Sequence, residues 1–328
     1  MSLLAQDYPS FEIIVINDNS SDGTERIIKK LGAVLLKPAD DAATAPRARL
    51  RYLNCPLPPA GWTGKNHALH CGVPYSGGKW LLFTDADTTH QSASLSSSLG
   101  FSGQQGLSFL TLMPRCVAKS PLEAIIQPAA MCLTGMWFPI DKVNDPESPV
   151  YFGNGQYLFI NRSLYEKLGG HFSVKEEFLE DFALFKAAKN SGEKAGYAMA
   201  QELFGTRMYS SLRSMWKGWR RIFLHAFERN PAVIASKTAS LFLTAILPFI
   251  FLTVLSGAAA AGVRVPALVW LSAGLAFFTM AFTCWTAYGI LGAKRRYIWL
   301  LPAASGFLFL VLAAAFAMAV TGKKTKWR

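Results

Sequence analysis

Charged residues are scarce in this sequence, and acidic residues are the scarcer kind. Only 16% of the 328 residues are charged, and 21 acidic side chains stand against 33 lysines and arginines. The shortage is greatest over residues 238–322, which are almost free of charge. The hydrophobic share of 51% therefore excludes a soluble enzyme of average composition. The net charge of +12 favours an anionic partner, either a membrane surface or nucleic acid.

Closely spaced metal-binding and redox motifs are also missing from the sequence. The five cysteines are scattered, and no pair has the spacing of a zinc knuckle or a redox Cys-x-x-Cys. The five histidines form no metal-ligand pattern, and there is no Gly-x-Ser-x-Gly elbow. We therefore expect reduced thiols in a cytosolic domain, and the sequence gives no sign of a serine hydrolase.

Three long stretches carry no charge at all: residues 239–262, 265–293 and 297–322. About 20 apolar residues suffice for a helix to cross the hydrocarbon core of a membrane. The alternative, three buried helices of a soluble core, is disfavoured because the stretches follow one another directly. We predict about three transmembrane helices, the first kinked or re-entrant at Pro248.

A basic segment, residues 207–237, directly precedes these stretches and holds seven lysines and arginines against one acid, Glu228. Its position favours membrane lipids over nucleic acid as the partner. The stretch 207–221 mixes arginine with tryptophan and tyrosine, so it fits an interfacial helix and equally a phosphate or acceptor site. Basic residues at Lys237 and 294–296 predict cytoplasmic sides. Three crossings would place the basic tail 323–328 opposite, which leaves the number of crossings open.

Residues 1–206 alternate between predicted strands and helices, which indicates an α/β sheet with helices on both faces. Strands are predicted in "FEIIVIND", "AVLLKP", "KWLLFTDAD" and "SFLTLMPR". A helix is predicted from near Ser21 to Gly32, and another in "WTGKNHALHCGV". Ligands in such sheets bind beyond the carboxyl ends of the strands. We therefore expect Asp18, Asp85 and Asp87 in one cleft.

Two short motifs could handle phosphate chemistry. Asp85 and Asp87 form an Asp-x-Asp at a strand end, where paired carboxylates suit Mg²⁺ or Mn²⁺ beside substrate phosphates. Turn capping is the alternative interpretation. Lys65 follows a glycine before a predicted helix and could bind a phosphate, although the spacing is not that of a complete phosphate loop.

A third candidate is the acidic pair Glu180-Asp181, in "EEFLEDFALFKAAKNSG". Apolar residues at helical spacing follow the pair, so it should lie in the first turn of an amphipathic helix. A carboxylate there could act as a general base toward a hydroxyl. Acids are also simply favourable in a first helical turn, and the motif alone does not separate these interpretations.

The order of these motifs is more specific than any one of them. "IIVINDNSSDGT", "GWTGKNHAL", "WLLFTDAD" and "LEDFAL" together resemble the family-2 glycosyltransferases of the GT-A fold, over roughly residues 3–221. "GNGQYLFINRSLYEKLGGHFSVKEEFLEDFAL" and "RMY" resemble the membrane-bound branch, which includes carotenoid-acid (diaponeurosporenoate-type) and hopanoid-associated glycosyltransferases.

The resemblance implies a role for five residues. Asp18 would contact the nucleotide base, Lys65 would lie near the nucleotide and its phosphates, and Asp85 would lie near the ribose. Asp87 would hold a divalent metal, Mg²⁺ or Mn²⁺, under the diphosphate. Asp181 would be the base that deprotonates the acceptor hydroxyl in an inverting displacement.

The sequence departs from the family pattern in two places. The family's Gln-x-x-Arg-Trp signature is replaced by "LRSMWKGWRR". Arg213, Trp216, Trp219 and Arg220 of this stretch are therefore candidates to bind the acceptor or the diphosphate. Glu180 of the acidic pair is a further candidate for the same role. The chain also begins at "MSLLAQDYPSFEIIVIND", where the family would already be in its first helix. We expect the first strand to be absent and strand edges to be left unpaired.

The sequence thus predicts a GT-A (Rossmann-like) nucleotide-sugar domain at 1–206, a basic interfacial segment at 207–237, a membrane domain at 238–322 and a basic tail at 323–328. The expected activity is metal-dependent, inverting transfer from a nucleoside-diphosphate sugar to a lipid-like acceptor (carotenoid, hopanoid or polyprenyl). The expected location is the inner membrane, with the catalytic domain on the cytoplasmic side and no nucleic acid partner. A sugar nucleotidyltransferase and a truncated, non-catalytic membrane protein are the alternatives.

Overall fold

The computed structural model describes residues 1–37, 40 and 48–323, which form ten strands and thirteen α-helices. The strands are β1 (Ile13–Asn17), β2 (Val34–Leu35), β3 (Leu50–Asn54), β4 (Trp80–Phe83), β5 (Thr88–His90), β6 (Phe109–Met113), β7 (Arg115–Cys116), β8 (Leu158–Asn161), β9 (Ala195–Met199) and β10 (Phe204–Thr206). The helices are α1 (Thr24–Lys30), α2 (Gly64–Gly72), α3 (Ser94–Gln105), α4 (Pro121–Trp137), α5 (Ile140–Asn144), α6 (Arg162–Lys167), α7 (Gly170–Ser173), α8 (Glu180–Asn190), α9 (Leu212–Ala226), α10 (Pro231–Leu241), α11 (Leu247–Ala260), α12 (Ala267–Ile290) and α13 (Leu301–Thr321).

The described residues divide into two compact units. The first contains Met1–Pro114 and Phe138–Thr206, and the second contains Arg115–Trp137 and the chain from Arg207 onward. The first unit holds the mixed α/β fold that the sequence predicts. Helix α4 groups with the C-terminal helices because its apolar side chains are buried in that unit. The finer division into four segments stays a prediction, and residues 324–328 of the tail lie outside the described part.

The strands of the first unit form two main sheets. β1, β3 and β2 pair in parallel in that order, while β4, β8, β6 and β9 form a mixed sheet. In the part of the chain that is described, β1 and β4 are therefore both edge strands, and the absence of the family's first strand stays a prediction. The sequence did not predict β3, because Arg51 and Asn54 interrupt its apolar pattern.

An apolar core packs on the four-stranded sheet. Its buried members come from β6, β8, β10 and the adjoining turns: Leu107, Leu110, Leu112, Tyr157, Phe159, Ala200 and Phe204. The ring of Trp80 stacks on that of Phe159, with 4.6 Å between centroids. Burial of such side chains supplies the main stabilisation of the sheet, and it fixes β4, whose end carries Thr84 and Asp85.

The second unit contains three helices that are long and apolar enough to cross a membrane: Pro231–Ala260, Ala267–Ile290 and Arg295–Thr321. The first is α10 and α11 joined by a π-helical turn, Phe242–Ile246. This turn lies just before Pro248, which cannot donate a backbone hydrogen bond, so the helix departs from regular α-geometry next to the proline; whether the span is kinked or re-entrant stays a prediction. These helices indicate membrane association.

Candidate active site

Asp18 lies in a pocket just beyond the carboxyl end of β1. The open pocket has a volume of about 530 Å³ and is lined by Asp18, Asn19, Leu57, Pro58, Gly61, Trp62, Thr63, Gly64, Glu176 and Phe178. The buried Asn17 side chain shapes the turn at the strand end by donating to Asn54 Oδ1 at 2.9 Å and accepting from the backbone N–H of Ser20. The pocket thus combines an acid with apolar walls.

Helix α2 begins at the edge of this pocket. Thr63 is its N-cap and accepts from the backbone N–H of Asn66 at 3.3 Å. The Asn66 side chain is completely buried and donates to the carbonyl oxygens of Val174 at 2.6 Å and Glu177 at 3.0 Å. This anchors the start of α2 to the segment that leads into α8, and it places Lys65 between the two.

Lys65 is the centre of a carboxylate cluster. Its Nζ lies 2.9 Å from Asp85 Oδ1 and 2.8 Å from Glu180 Oε1. Burial alone would lower the pKa of Lys65, but the charges of Glu180, Asp85 and Asp181 outweigh it and raise the pKa. Lys65 is therefore a fixed cation that joins α2, the end of β4 and the start of α8.

A hydrogen-bonded network holds the Asp-x-Asp turn. Thr84 Oγ1 donates to the carbonyl oxygen of Gln156 at 2.8 Å, and Thr88 Oγ1 donates to that of Asp85 at 2.7 Å. Both hydroxyls also contact His90 Nε2, at 3.1 and 2.9 Å. Burial lowers the pKa of His90 to about 4, so the ring is neutral and structural.

Asp87 projects from this turn and is exposed to solvent. Partial desolvation and then the charge of Asp85 raise the pKa of Asp87 to about 6. The two carboxylates offer hard oxygen ligands, and the crowded negative charge at Asp87 would be relieved by a cation. The residues present therefore fit a divalent metal such as Mg²⁺ or Mn²⁺.

Asp181 occupies the first turn of α8, as expected. Its Oδ2 accepts from the backbone N–H of Gly155 at 2.6 Å, and its Oδ1 accepts from that of Phe182 at 2.9 Å. Desolvation, and then the charge of Glu180, raise the pKa of Asp181 to about 7, against the opposing effects of Lys65 and the two N–H donors. A carboxylate tuned to this range can accept a proton from a hydroxyl at neutral pH.

Gly155 is a site residue that the sequence reasoning missed. A β-carbon at this position would lie 2.8 Å from Lys65 Nζ and 3.2 Å from both Asp181 Oδ2 and Glu180 Oε1. Only glycine lets the chain before β8 approach the cluster this closely. The available signal was the Gly-Asn-Gly pattern of "GNGQYLFI", which supports the resemblance but by itself assigns no role to Gly155.

The remaining candidates lie on α9, in the second unit. Arg213 is exposed, and Trp216 packs near Phe307, with 5.8 Å between ring centroids. Trp219 is only 3% exposed, and its Nε1–H donates to Gln127 Oε1 at 2.7 Å. Trp219 thus packs α9 against α4, whereas Arg213, Trp216 and Arg220 have surface available for a ligand.

Among the predicted residues of the first unit, Lys65, Asp85, Glu180 and Asp181 come together in one cluster. Asp87 lies two residues from Asp85 in the same turn. Asp18 lines the pocket, of which Gly64 also forms a wall. Because Gly64 and Lys65 are consecutive, the pocket and the cluster meet at the start of α2.

Comparison with known proteins points to one family. The family model described as glycosyl transferase family 2 matches residues 1–109. The chain is 26% identical over 228 residues to the 4,4'-diaponeurosporenoate glycosyltransferase of Staphylococcus aureus strain USA300. The matched region covers 67% of this chain and 55% of the relative. The enzyme of the bovine strain RF122 is 26% identical over 250 residues, and that match covers 74% of this chain and 60% of the relative.

These matches confirm the resemblance to the family-2 glycosyltransferases and are consistent with the membrane-bound branch, and they agree with a GT-A-like mixed α/β fold. The chain spans 55–60% of the length of these curated relatives. Among solved structures, residues 1–349 of Staphylococcus aureus TarS in complex with UDP-GlcNAc align at 15% identity with a TM-score of 0.37, covering 99% of this chain and 87% of that one. The complex of the same TarS fragment with UDP aligns at 15% identity with a TM-score of 0.39 and the same coverage of both chains.

Proposed function

We propose that the chain is a membrane-associated, inverting glycosyltransferase that moves a sugar from a nucleoside diphosphate to a lipid-like acceptor. The observation that carries the proposal is the cluster around Lys65, in which one cation and three carboxylates converge from α2, β4 and α8. Proximity to the Asp18 pocket gives room for a nucleotide. The similarity to diaponeurosporenoate glycosyltransferases supports a carotenoid-type acceptor among the lipid classes.

The reaction needs one base and a stabilised leaving group. Asp181 would take the proton of the acceptor hydroxyl as its oxygen attacks the anomeric carbon, while the bond from that carbon to the diphosphate breaks. This single displacement inverts the anomeric centre and needs no carboxylate nucleophile. Lys65 holds Asp85 in place and presents positive charge on the phosphate side. Asp18 and the walls of its pocket would bind the base of the nucleotide.

A divalent metal held by Asp87, with Asp85 beside it, would supply charge to neutralise the departing diphosphate. The apolar helices of the second unit and the basic segment 207–237 would place the acceptor at the membrane. We propose the inner membrane, with the first unit on the cytoplasmic side, because Lys237 and residues 294–296 provide the positive charge favoured there.

The decisive experiment measures products formed by the full chain in detergent or vesicles with UDP-sugars and Mn²⁺ or Mg²⁺. Release of the nucleoside diphosphate from the UDP-sugar supports glycosyl transfer, whereas release of pyrophosphate in a parallel reaction with UTP and a sugar 1-phosphate would indicate a nucleotidyltransferase. The Asp87→Ala variant should lose metal-dependent turnover, because it removes the exposed metal ligand. Full activity in this variant would contradict the metal assignment.

A further inference from the structure

A second group of metal-ligating side chains lies beside the Asp18 pocket and outside the carboxylate cluster. The ligand atoms of Cys55, His67 and Cys71 all lie within 4.8 Å of one another. Cys55 follows β3, while His67 and Cys71 lie four residues apart on one face of α2. The sequence spacing predicted no shared site for these residues, because Cys55 reaches the other two only through the fold.

Each sulfur lies at a zinc-site distance from one nitrogen of the His67 ring, and the three ligand atoms lie within 4.8 Å of one another. The Cys55 and Cys71 sulfurs lie 3.5 Å from His67 Nδ1 and Nε2, respectively. Tetrahedral Zn²⁺ with Zn–S near 2.3 Å and Zn–N near 2.0–2.1 Å requires sulfur and nitrogen to be about 3.6 Å apart. One ion can use only one ring nitrogen, so the more distant sulfur must turn toward it. All three atoms are already close enough for a side-chain rotation to achieve this.

Charge and burial also favour Zn²⁺. Cys55 and His67 are buried, at 4% and 8% exposure, while Cys71 is partly open and provides a path for entry. Two thiolates and a neutral imidazole balance the charge of one Zn²⁺, so the occupied site places no net charge in the interior. The two thiol protons pass to solvent on binding. The carboxylates of the Asp-x-Asp turn, by contrast, favour hard cations.

We propose that Cys55, His67 and Cys71 bind a thiophilic divalent metal, Zn²⁺, that fixes the wall of the Asp18 pocket. Cys55 and His67 flank the segment that supplies Leu57, Pro58, Gly61 and Trp62 to this pocket. The Asn19 side chain donates to the carbonyl oxygen of Cys55 at 3.2 Å, and the Trp62 ring meets the His67 ring edge-on at 5.5 Å between centroids. The ion would close this segment into a short loop.

The test replaces Zn²⁺ by Co²⁺ in the full-length, reduced and chelator-treated protein. We expect about one Co²⁺ per chain with a thiolate-to-cobalt charge-transfer band, displaced by Zn²⁺. Cys55→Ser and Cys71→Ser should each remove the band and weaken binding by about 100-fold or more, at least as much as loss of an outer-shell partner. Cys284→Ser is the matched control for a partly buried helical cysteine and should keep the band. Asp87→Ala should also keep it, because oxygen ligands do not produce this band.

Footprinting of the unaltered chain provides a second measurement that does not depend on variants that fold. Zn²⁺ should slow alkylation of Cys55 and Cys71 relative to the chelator-treated protein and leave Cys284 unchanged. Equal rates with and without Zn²⁺, or a charge-transfer band that survives both cysteine substitutions, would overturn the proposal. Neither readout requires turnover, so this outcome is independent of the proposed glycosyltransferase activity.

Discussion

At the scale of single residues, the chemistry depends on how a few charges alter one another. Asp181 is partly buried beside Glu180, which raises its pKa, while Lys65 opposes the rise. Lys65 in turn is held by Asp85 and Glu180. The carboxylate that we propose as the base is therefore also the one whose proton affinity the surrounding charges control.

The pH dependence of turnover should report this control. A base must be ionised, and the pKa of Asp181 is raised, so kcat/KM should fall as the pH drops through neutrality. Asp181→Asn should lower kcat by about 10²–10⁴-fold.

Lys65→Met removes a charge that lowers the pKa of Asp181, so the acidic limb of the variant's residual activity should move to higher pH. A limb that stays in place in Lys65→Met would show that a different group is the base.

Gly155 provides a steric test of the same cluster. An added β-carbon would meet Lys65 Nζ and the carboxylates of Asp181 and Glu180, which are side-chain ends that can move. Gly155→Ala should therefore fold but displace the cluster, lowering kcat/KM by about 10–100-fold. The matched control is Gly100→Ala, since no atom lies within 4 Å of a β-carbon there. Equal activity in the two variants would contradict the close approach.

At the scale of elements, the second unit contains an ion pair between α4 and the chain before α9, in which the carboxylate is buried and the arginine side chain is partly exposed. Arg207 donates from Nε to Glu123 Oε2 at 2.9 Å and from its terminal nitrogen to Oε1 at 2.8 Å. Glu123 is 1% exposed. The bonds from Arg207 outweigh desolvation and lower the pKa of Glu123 to about 2. This forked pair orients the chain as it enters α9.

Removing Arg207 should destabilise the unit because the buried carboxylate of Glu123 loses its cationic partner and, among the described residues, keeps only the donors of Lys119 and Ser120. We expect Arg207→Met to lower the free energy of unfolding, measured by denaturant in detergent, because it removes two charge-assisted hydrogen bonds to a buried carboxylate. Arg213→Met, at an exposed position of α9, should have little effect. Because the pKa of Glu123 is depressed on folding, the stabilisation is present at neutral pH and is lost as the pH falls from about 4.5 towards 2. A difference that does not shrink on acidification would refute this linkage.

At the scale of the whole molecule, an α/β unit and a set of apolar helices share one chain. The helices keep many large apolar side chains exposed, including Leu268, Leu271, Leu275 and Phe278. So many exposed apolar side chains are unfavourable in water and unusual on a soluble protein, whereas the hydrocarbon core of a bilayer accommodates them. The expected membrane association thus follows from what the fold leaves uncovered.

The orientation of these helices can be measured by labelling. In intact cells, an impermeant maleimide should label Arg264→Cys, because this position lies between the first two spans and should face outward. Arg295→Cys should be labelled only after permeabilisation, since residues 294–296 should face the cytoplasm. The unaltered chain is the control for its own five cysteines. Labelling of both positions from the same side would rule out a full crossing by α12.

The sequence by itself determined several of the elements and the chemical groups at their ends. Apolar runs without charge predict the three long apolar helices, and short apolar runs predict β1 and β4, because these signals depend on neighbouring residues alone. They also place Asp18 and Asp85 just after strand ends and Asp181 in a first helical turn. The sequence did not predict β3, because its polar residues interrupt the run of apolar residues.

Only the tertiary structure decided which of these residues meet. Lys65 reaches Asp85 and Glu180, Gly155 admits the cluster, and Cys55 joins His67 and Cys71, each across a long separation in sequence. Trp219, equally prominent in the sequence, is buried against α4 instead. Such contacts depend on how sheets and helices pack, and packing is the sum of many apolar contacts that no short stretch of sequence contains. The carboxylate and thiol sites are therefore properties of the folded chain, built from motifs that the sequence supplies separately.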